Sequence, residues 1–257
     1  MLKYAATLGL EDAPMAIGAP VPPGWHGGFF PASHRPAQMR EDGQARGGGI
    51  MPVIPLPRRR IGGNRIHFHA PLKVGDAITR VLGIADVRID DGPQGAMVTV
   101  VERSDISNAT GLAVQEERDV VFLSEKRAQA PRGAATVPGE ATWQRVFEPS
   151  AALLFRFSAI RFNTHRIHYD RDYAMKTEGL PGLVVQTSLI SQLMIELCCS
   201  HQKDRRLTEF AFQTMGQTYD IGPFTIAGCP DAGGNEARLW ALDAGNKVTV
   251  TATAKFA

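Results

Sequence analysis

The chain has 257 residues, of which 44% are hydrophobic and 21% are charged, and its formal net charge is +2. This balance excludes a disordered chain and a nucleic-acid-binding surface driven by net charge, and the length suffices for a sizeable core. No apolar run reaches the roughly 18 residues of a membrane span, and Glu11 and Asp12 come too early for a secretory segment. We therefore expect a soluble, intracellular protein without nucleic-acid or membrane partners.

The cysteine content points to a reducing compartment. Cys198, Cys199 and Cys229 are an odd number, two of them adjacent, and their spacing matches no metal site. We expect buried thiols, no disulfide framework and no bound metal. The predicted location is the cytoplasm, with the mitochondrial matrix as the alternative in a eukaryote.

Residues 14–49 are rich in proline and glycine, which predicts a long irregular segment that folds against the rest of the chain. Trp25, Phe29 and Phe30 are its expected anchors. We expect His26 to be a surface residue beside the tryptophan.

The first half of the chain reads mainly as an antiparallel sheet. Alternating or β-branched runs predict strands at residues 65–69, 77–84, 97–101 and 111–122, with a turn at 90–95. Residues 124–141 shift to Ala, Pro, Gly, Lys and Arg, a composition typical of linkers. We therefore divide the chain into an N-terminal half at 1–125, a linker at 126–141 and a C-terminal half at 142–257.

Three consecutive arginines, Arg58, Arg59 and Arg60, lie between prolines and glycines. Held in a fixed turn, they would offer bidentate donors to a phosphate or a carboxylate. The alternative is a solvated basic run.

The second half is predicted to contain a strand at 151–162, a helix after residue 187 and a final strand at 247–254. The helix places Leu189, Ile190, Leu193, Met194 and Leu197 on one side, and Thr187 or Ser188 can cap its first turn. In the final strand, Val or Ala occupies every even position after a turn at 243–246. Similar strand and turn patterns after residues 74–76 and 221–223 indicate two copies of one α+β unit that share a continuous sheet.

Residues 162–170, hereafter the site loop, contain the densest cluster of polar side chains. They come just before a turn at 178–183 that is marked by Gly and Pro. The loop combines two imidazoles, an amide, a guanidinium and a carboxylate: His165, His168, Asn163, Arg166 and Asp170. Such a cluster beside core-forming sequence is typical of an active site. The alternative is a solvated loop with two surface histidines.

Four separated motifs carry a resemblance to a known family. They are Pro-Pro-x-Trp-His at 22–26, Pro-Leu-Pro-Arg-Arg at 55–59, the site loop, and Glu-Gly-x-Pro-Gly-Leu-Val-Val at 178–185. In this order they resemble the tandem hot-dog proteins of the MaoC-like acyl-thioester hydratase/dehydratase superfamily. The similar branch contains mesaconyl-C4-CoA hydratase, itaconyl-CoA hydratase and the mitochondrial type 2 3-hydroxyacyl-thioester dehydratases.

The resemblance implies an α+β double hot-dog fold, in which a curled antiparallel sheet wraps central helices. It also implies reversible syn addition of water to a 2-enoyl thioester. That reaction needs an acid/base group, an oxyanion donor and an anion site. The implied catalytic residues are His168, Asp170, Asn163 and Thr187, the last through its backbone N–H. The implied substrate-binding residues are His165, Arg166, Arg58, Arg59, Gly182 and Gln186.

The chain departs from the family pattern at two places. In the (R)-specific hydratases an Asp-x-Asn-Pro-x-His run carries an Asp/His dyad; His168 falls on the histidine, but Asn163 occupies the place of the aspartate. Gln186-Thr187 replaces the His-Gly pair that usually begins the central helix. Because an amide does not accept a proton at neutral pH, His168 must act alone or with Asp170, while Asn163 orients water or substrate.

The resemblance leaves three functions open: a hydratase/dehydratase, a hot-dog acyl-CoA thioesterase, and a non-catalytic acyl-thioester binding module. The number of arginines near the motifs favours a short dicarboxylic substrate such as mesaconyl-C4-CoA or itaconyl-CoA, with Arg166 as the first candidate for its free carboxylate. Coenzyme A enters as part of the substrate, and no further cofactor is expected. A homodimer is implied by the family alone.

Overall fold

The fold is one continuous antiparallel sheet with a long helix packed against it. The computed structural model describes residues 1–11, 13–47, 50–125 and 135–257. The nine strands are β1 (Arg58–Phe68), β2 (Thr79–Gly92), β3 (Gly95–Asn108), β4 (Gly111–Leu123), β5 (Trp143–Phe147), β6 (Leu207–Thr214), β7 (Phe224–Pro230), β8 (Glu236–Leu242) and β9 (Val248–Phe256). The described α-helices of at least seven residues are α1 (Leu2–Leu8), α2 (Ala151–Arg161) and α3 (Thr187–His201).

The two halves of the sheet have matching strand orders. The order across the sheet is β2-β3-β4-β1-β6-β9-β8-β7-β5, and the halves meet where β1 pairs antiparallel with β6. The predicted shared sheet and internal repeat are therefore confirmed. The sequence pattern also matched residues 248–250 with residues 97–100, which lie on β3. This match was wrong by one strand: β7 and β8 both lie between residues 223 and 248, so β9 corresponds to β4.

Helix α3 crosses the C-terminal half of the sheet with its apolar side inward. Leu189, Ile190, Leu193, Met194 and Leu197 are all buried, as their spacing predicted. Its other side faces the N-terminal segment, where Gln192 Nε2 donates to the Pro23 carbonyl at 3.0 Å. Trp25, itself fully buried, donates from Nε1 to Glu196 at 3.1 Å. The polar side of α3 thus anchors residues 20–30, and the predicted irregular segment is confirmed for its described part.

Strand β9 shows the predicted alternation from residue 250 onward, where the even positions to Phe256 are buried in the main core. At its start Thr249 is buried as well and Val248 packs with Trp240 in a second cluster, because the pairing with β8 shifts register between Ala241 and Leu242. The preceding turn contains Asn246 at a positive φ of 59°, a conformation that asparagine tolerates better than most residues. From residue 250 onward the period of two was a sufficient signal because one face of the strand meets the core.

Three further expectations about the chain were wrong. The strand predicted at 151–162 is instead helix α2, Ala151–Arg161. The Ser150 hydroxyl accepts from the Leu153 N–H at 3.2 Å and caps its first turn. A short apolar run does not distinguish a buried helix from a strand. The three arginines begin strand β1 and do not form a turn. His26 is buried and not at the surface, and its Nε2 lies 3.3 Å from the carboxylate of Glu116 on β4.

Strands β1 to β4 precede the predicted linker and β5 to β9 follow it. Residues 126–134 of that linker lie outside the described residues, so the domain boundaries stay a prediction. Of the helices in the described ranges, none is long and apolar enough to cross a membrane.

Candidate active site

The site loop connects the end of α2 to the segment that leads into α3. Phe162 adopts a left-handed conformation with φ 49° and ends α2, and residues Arg166–His168 form a single 3-10 turn. The Val184 N–H donates to the Ile167 carbonyl at 2.9 Å. This contact holds the loop beside residues 183–186, directly before the first turn of α3.

His168 is buried and its hydrogen bond fixes its tautomer. Nδ1 lies 2.8 Å from the Val184 carbonyl, which accepts only, so Nδ1 carries the proton. Nε2 is then an acceptor, and it has no hydrogen-bond partner among the described residues. Burial lowers the pKa of His168, the Val184 bond partly opposes this effect, and the neighbouring His165 adds to it; together these effects lower the pKa to about 4. The ring is therefore neutral at pH 7 and able to accept a proton at Nε2.

His165 lies edge-on to His168, with ring centroids 5.4 Å apart. Its Nε2 is 3.1 Å from the amide nitrogen of Gln44, a residue in the N-terminal segment. Burial lowers the pKa of His165, while Asp42 and Glu178 act in the opposite direction. Gln44 and Asp42 thus belong to the site, although they were not among the predicted site residues.

Residues 39–45 form a short hairpin over the site loop, hereafter the cover hairpin. Met39 and Ala45 make an isolated β-bridge. The Thr164 hydroxyl donates to the Gly43 carbonyl at 2.6 Å, and the Arg166 N–H donates to the Asp42 carbonyl at 2.8 Å. An Asp-Gly pair is a strong hairpin signal, and its presence at Asp42-Gly43 is the feature that sequence reasoning could have used.

Neither Asn163 nor Asp170 is the hydrogen-bond partner of His168 Nδ1. The Asn163 side-chain oxygen accepts from the His165 N–H at 3.2 Å and so shapes the loop. Asp170 accepts from the Tyr173 N–H at 3.0 Å and from Arg166 at 2.9 Å; both bonds lower the pKa of its carboxyl. The partner of His168 is instead the Val184 carbonyl. The catalytic roles given to Asn163 and Asp170 stay predictions.

The predicted arginines differ in their partners. Arg166 pairs with Asp170, and its guanidinium carbon lies 4.0 Å from the Tyr173 ring centroid. Arg58 pairs with Glu178 and Glu125. Arg59 makes no hydrogen bond to a carboxylate within the described ranges; its guanidinium carbon lies 5.8 Å from the Phe122 ring centroid.

The first turn of α3 offers backbone donors. Gln186 is its N-cap, and the N–H groups of Leu189 and Ile190 both bond to the Gln186 carbonyl. Within the described part of the chain no side chain caps the helix, so the expected capping by Thr187 or Ser188 was wrong. The first N–H groups of a helix lack intrahelical acceptors, which leaves those of Thr187 and Ser188 available to an oxyanion.

Gln186 and Gly182 make close contacts within the protein. Gln186 Nε2 donates to the Leu154 carbonyl and to Ser158 Oγ, both at 2.9 Å, and thereby fastens α2 to α3. A Cβ on Gly182 would lie 2.6 Å from Asp220 Oδ1, which explains the glycine. Their predicted contacts with substrate stay predictions.

Comparison with known proteins agrees with this geometry. Residues 24–220 match the family model described as hydroxyacyl-thioester dehydratase type 2. The chain is 36% identical to mesaconyl-C(4)-CoA hydratase of Chloroflexus aurantiacus over 231 residues, which cover 90% of this chain and 82% of that protein. The chain belongs to the type 2 hydroxyacyl-thioester dehydratase family. The predicted MaoC-like resemblance is thereby confirmed.

Solved structures agree with this family fold at low sequence identity. HtdX of Mycobacterium tuberculosis superimposes with a TM-score of 0.66 at 16% identity, covering 99% of this chain and 94% of that one. A MaoC-like dehydratase of Phytophthora capsici has a TM-score of 0.66 at 12% identity, covering 100% and 91%. These matches confirm the predicted α+β double hot-dog fold for this member of the type 2 dehydratase family.

Proposed function

We propose that the protein catalyses reversible hydration of a short dicarboxylic 2-enoyl-CoA, with mesaconyl-C4-CoA as the first candidate. Family membership assigns it to the hydro-lyases of acyl thioesters. Identity to a mesaconyl-C4-CoA hydratase over most of both chains supports the narrower substrate. The structural observation that carries the proposal is the neutral His168 ring. Its Nδ1 bonds to the Val184 carbonyl, which leaves Nε2 unprotonated, and Val184 lies three residues before Thr187 at the start of α3.

These groups can perform the whole reaction. His168 Nε2 removes a proton from water as the water oxygen bonds to C3 of the enoyl group. The displaced electron pair moves onto the thioester oxygen, where the Thr187 N–H and the helix dipole stabilise the negative charge. The imidazolium then returns the proton to C2 on the same face. Acid–base and oxyanion groups suffice for these steps, so we propose no cofactor beyond the coenzyme A of the substrate.

Hydration, thioester hydrolysis and binding without catalysis differ in their effects on enoyl absorbance and free thiol. The purified protein is incubated with mesaconyl-C4-CoA, and enoyl absorbance and free thiol are recorded together. Hydration lowers the absorbance without releasing thiol. Thiol release from this substrate or from a saturated acyl-CoA would identify a thioesterase, and tight binding without turnover of mesaconyl-, itaconyl- or crotonyl-CoA would identify a binding module.

We also propose that two copies pair through the outer edge of β2. This strand pairs with β3 on one side only, and no described strand covers its other edge. Val81, Val87 and Ile89 on it are exposed by 67%, 45% and 76%. Antiparallel self-pairing centred on Val87 would place Arg88 opposite Asp86 of the partner copy, a favourable cross-strand charge pair.

The proposed location is the cytoplasm. All three cysteines carry free thiols, which fits a reducing compartment.

A further inference from the structure

Three guanidinium groups around the site loop are matched by carboxylates of the protein. The matched pairs are Arg40 with Asp42 at 3.4 Å, Arg58 with Glu178 at 2.6 Å, and Arg166 with Asp170 at 2.9 Å. Arg59 and Arg161 have no such partner among the residues that the structure describes, but Arg161 lies against Gly27 and its charge lowers the pKa of Glu116. Arg59 therefore represents an unmatched positive charge at this site.

Arg59 faces the interior of the N-terminal half. It lies two residues before Ile61 on β1, so the two side chains share one face of the strand. Ile61 packs on the buried cluster of Val100, Val120 and Phe122. Arg60, the next residue, projects from the opposite face of β1, where Arg88 and Gln213 line the same surface depression. The two neighbouring arginines thus differ in the side of the sheet that they occupy.

The surroundings of Arg59 are unfavourable for an unpaired cation. Burial lowers the pKa of its guanidinium, and the positive charge of Arg118 lowers it further, although Glu102 and Asp42 offset part of this effect. A desolvated cation next to a second cation is costly unless an anion reaches it. An anionic group of the substrate would supply that partner.

The location of Arg59 indicates which anion it receives. The preceding residue, Arg58, donates to Glu178, which also accepts from the Tyr173 hydroxyl at 3.0 Å, and the Tyr173 ring lies against Arg166 of the site loop. The start of β1 therefore lies beside the site loop, which puts Arg59 at the reacting end of the site. The phosphates of coenzyme A are separated from the thioester by the whole pantetheine arm. The second carboxylate of a short dicarboxylic acyl group lies only a few bonds from the reacting carbons.

We propose that Arg59 binds the free carboxylate of the acyl group and selects dicarboxylic over monocarboxylic thioesters. This inference rests on the proposed hydratase function for its place in catalysis. It replaces Arg166, the first candidate from sequence, because Asp170 and the ring of Tyr173 already occupy the Arg166 guanidinium. A planar guanidinium suits bidentate binding of a carboxylate.

The test compares Arg59→Met with Arg60→Met on two saturated ligands, succinyl-CoA with a free carboxylate and butyryl-CoA without one. Binding is measured by calorimetry, so the result does not depend on turnover. Arg59→Met should weaken succinyl-CoA binding by about 10- to 100-fold, as expected for a charged hydrogen bond, and change butyryl-CoA binding by less than about threefold. Arg60→Met should change neither.

Kinetics separate this inference from the proposed function. With Arg59→Met, kcat/KM should fall by a similar factor for mesaconyl-C4-CoA but not for crotonyl-CoA. Equal losses on both ligands, or no loss on succinyl-CoA, would overturn the assignment of Arg59. Absence of hydration by the wild-type protein would instead contradict the proposed function. The role of Arg59 would then be tested by the comparison of succinyl-CoA and butyryl-CoA binding alone.

Discussion

At the scale of single residues, the protonation state of His168 governs the chemistry. A buried imidazole whose Nδ1–H is held by the Val184 carbonyl can accept a proton only at Nε2. Its lowered pKa, about 4, keeps it in the base form at every pH at which the fold is expected to be most stable. The cost of this arrangement is a weaker base, so catalysis depends more on the oxyanion donors.

The lowered pKa of His168 predicts the acid limb of the pH profile. Between pH 7 and about pH 5, kcat/KM for hydration should stay nearly constant, and it should fall as the pH drops through about 4, where the ring becomes protonated. Circular dichroism at each pH, and recovery of activity at pH 7, separate titration from unfolding. A midpoint near 6.5, the value of an unperturbed imidazole, would contradict the assignment of His168 as the base.

The same shift has a consequence for stability. Between about pH 4 and 6.5 the unfolded chain binds a proton at His168 that the folded protein does not, so acidification through this range favours unfolding. The contribution is on the order of 3 kcal/mol when both pKa values have been passed. In denaturant titrations, His168→Gln should show a smaller loss of unfolding free energy over this range than the wild type.

At the scale of elements, the N-terminus of α3 is expected to supply the oxyanion donor. Thr187 is the first helical residue, where proline fits well, and Gln186 before it has the extended backbone that proline requires, with φ −60° and ψ 127°. Thr187→Pro therefore removes one N–H and leaves the helix intact.

We expect Thr187→Pro to lower kcat by about 100- to 1,000-fold. Thr187→Ala is the matched control, since it changes the side chain but keeps the N–H, and it should stay near wild-type activity. Thermal unfolding of both variants checks the fold. Equal activity of the proline and alanine variants would show that this N–H does not stabilise the transition state.

The cover hairpin is the second element on which the site depends. Gly43 has φ 82°, and a Cβ there would lie 1.9 Å from the Thr164 carbonyl oxygen, a backbone atom that cannot move aside alone. Gly43→Ala should therefore displace the hairpin together with Gln44 and Asp42, and lower kcat/KM by about tenfold or more.

Gly18→Ala provides the control for backbone strain. Gly18 has a similar φ of 86°, but no atom of the described residues lies within 4 Å of its added Cβ. Both variants should lose a comparable small amount of stability from the positive φ, while only Gly43→Ala loses activity. Similar kinetics for the two variants would show that the hairpin does not position the site loop.

At the scale of the whole molecule, the two halves fill the inner face of their sheet differently. The C-terminal half packs the apolar side of α3 there. The N-terminal half carries a buried polar row instead, in which Asn64 donates to Glu116 at 2.7 Å and Arg118 pairs with Glu102. The hydrogen bond and charge of His26 lower the pKa of Glu116, although burial acts against them.

This difference explains which features the sequence could predict. The alternation in β9 and the spacing of Leu189, Leu193 and Leu197 are local patterns, and the structure confirms them. The burial of His26 depends on Glu116, which lies 90 positions away in the chain, so no local pattern reveals it. The contact between Gln44 and His165 spans 121 positions and was missed for the same reason. Motif order predicted the site loop, but only tertiary contacts identified Val184 as the partner of His168.

The proposed pairing of two copies is a property of the whole molecule as well. Light scattering after gel filtration should give the mass of a dimer for the wild type. Replacing Val87 and Ile89 together with lysine should give a monomer, because the exposed edge of β2 then carries two like charges per copy. Val146→Lys on β5, at the opposite end of the sheet, is the control and should remain dimeric. A monomeric wild type would contradict the proposal.

The most direct measurement for the account as a whole is the rate of mesaconyl-C4-CoA hydration by the wild type, His168→Ala and His168→Gln. Enoyl absorbance and free thiol are followed together, and thermal unfolding confirms that each variant is folded. The wild type should consume the enoyl group without releasing thiol, and both variants should be slower by roughly 100- to 10,000-fold in kcat. Near-full activity of a folded His168 variant, or thiol release by the wild type, would contradict the account.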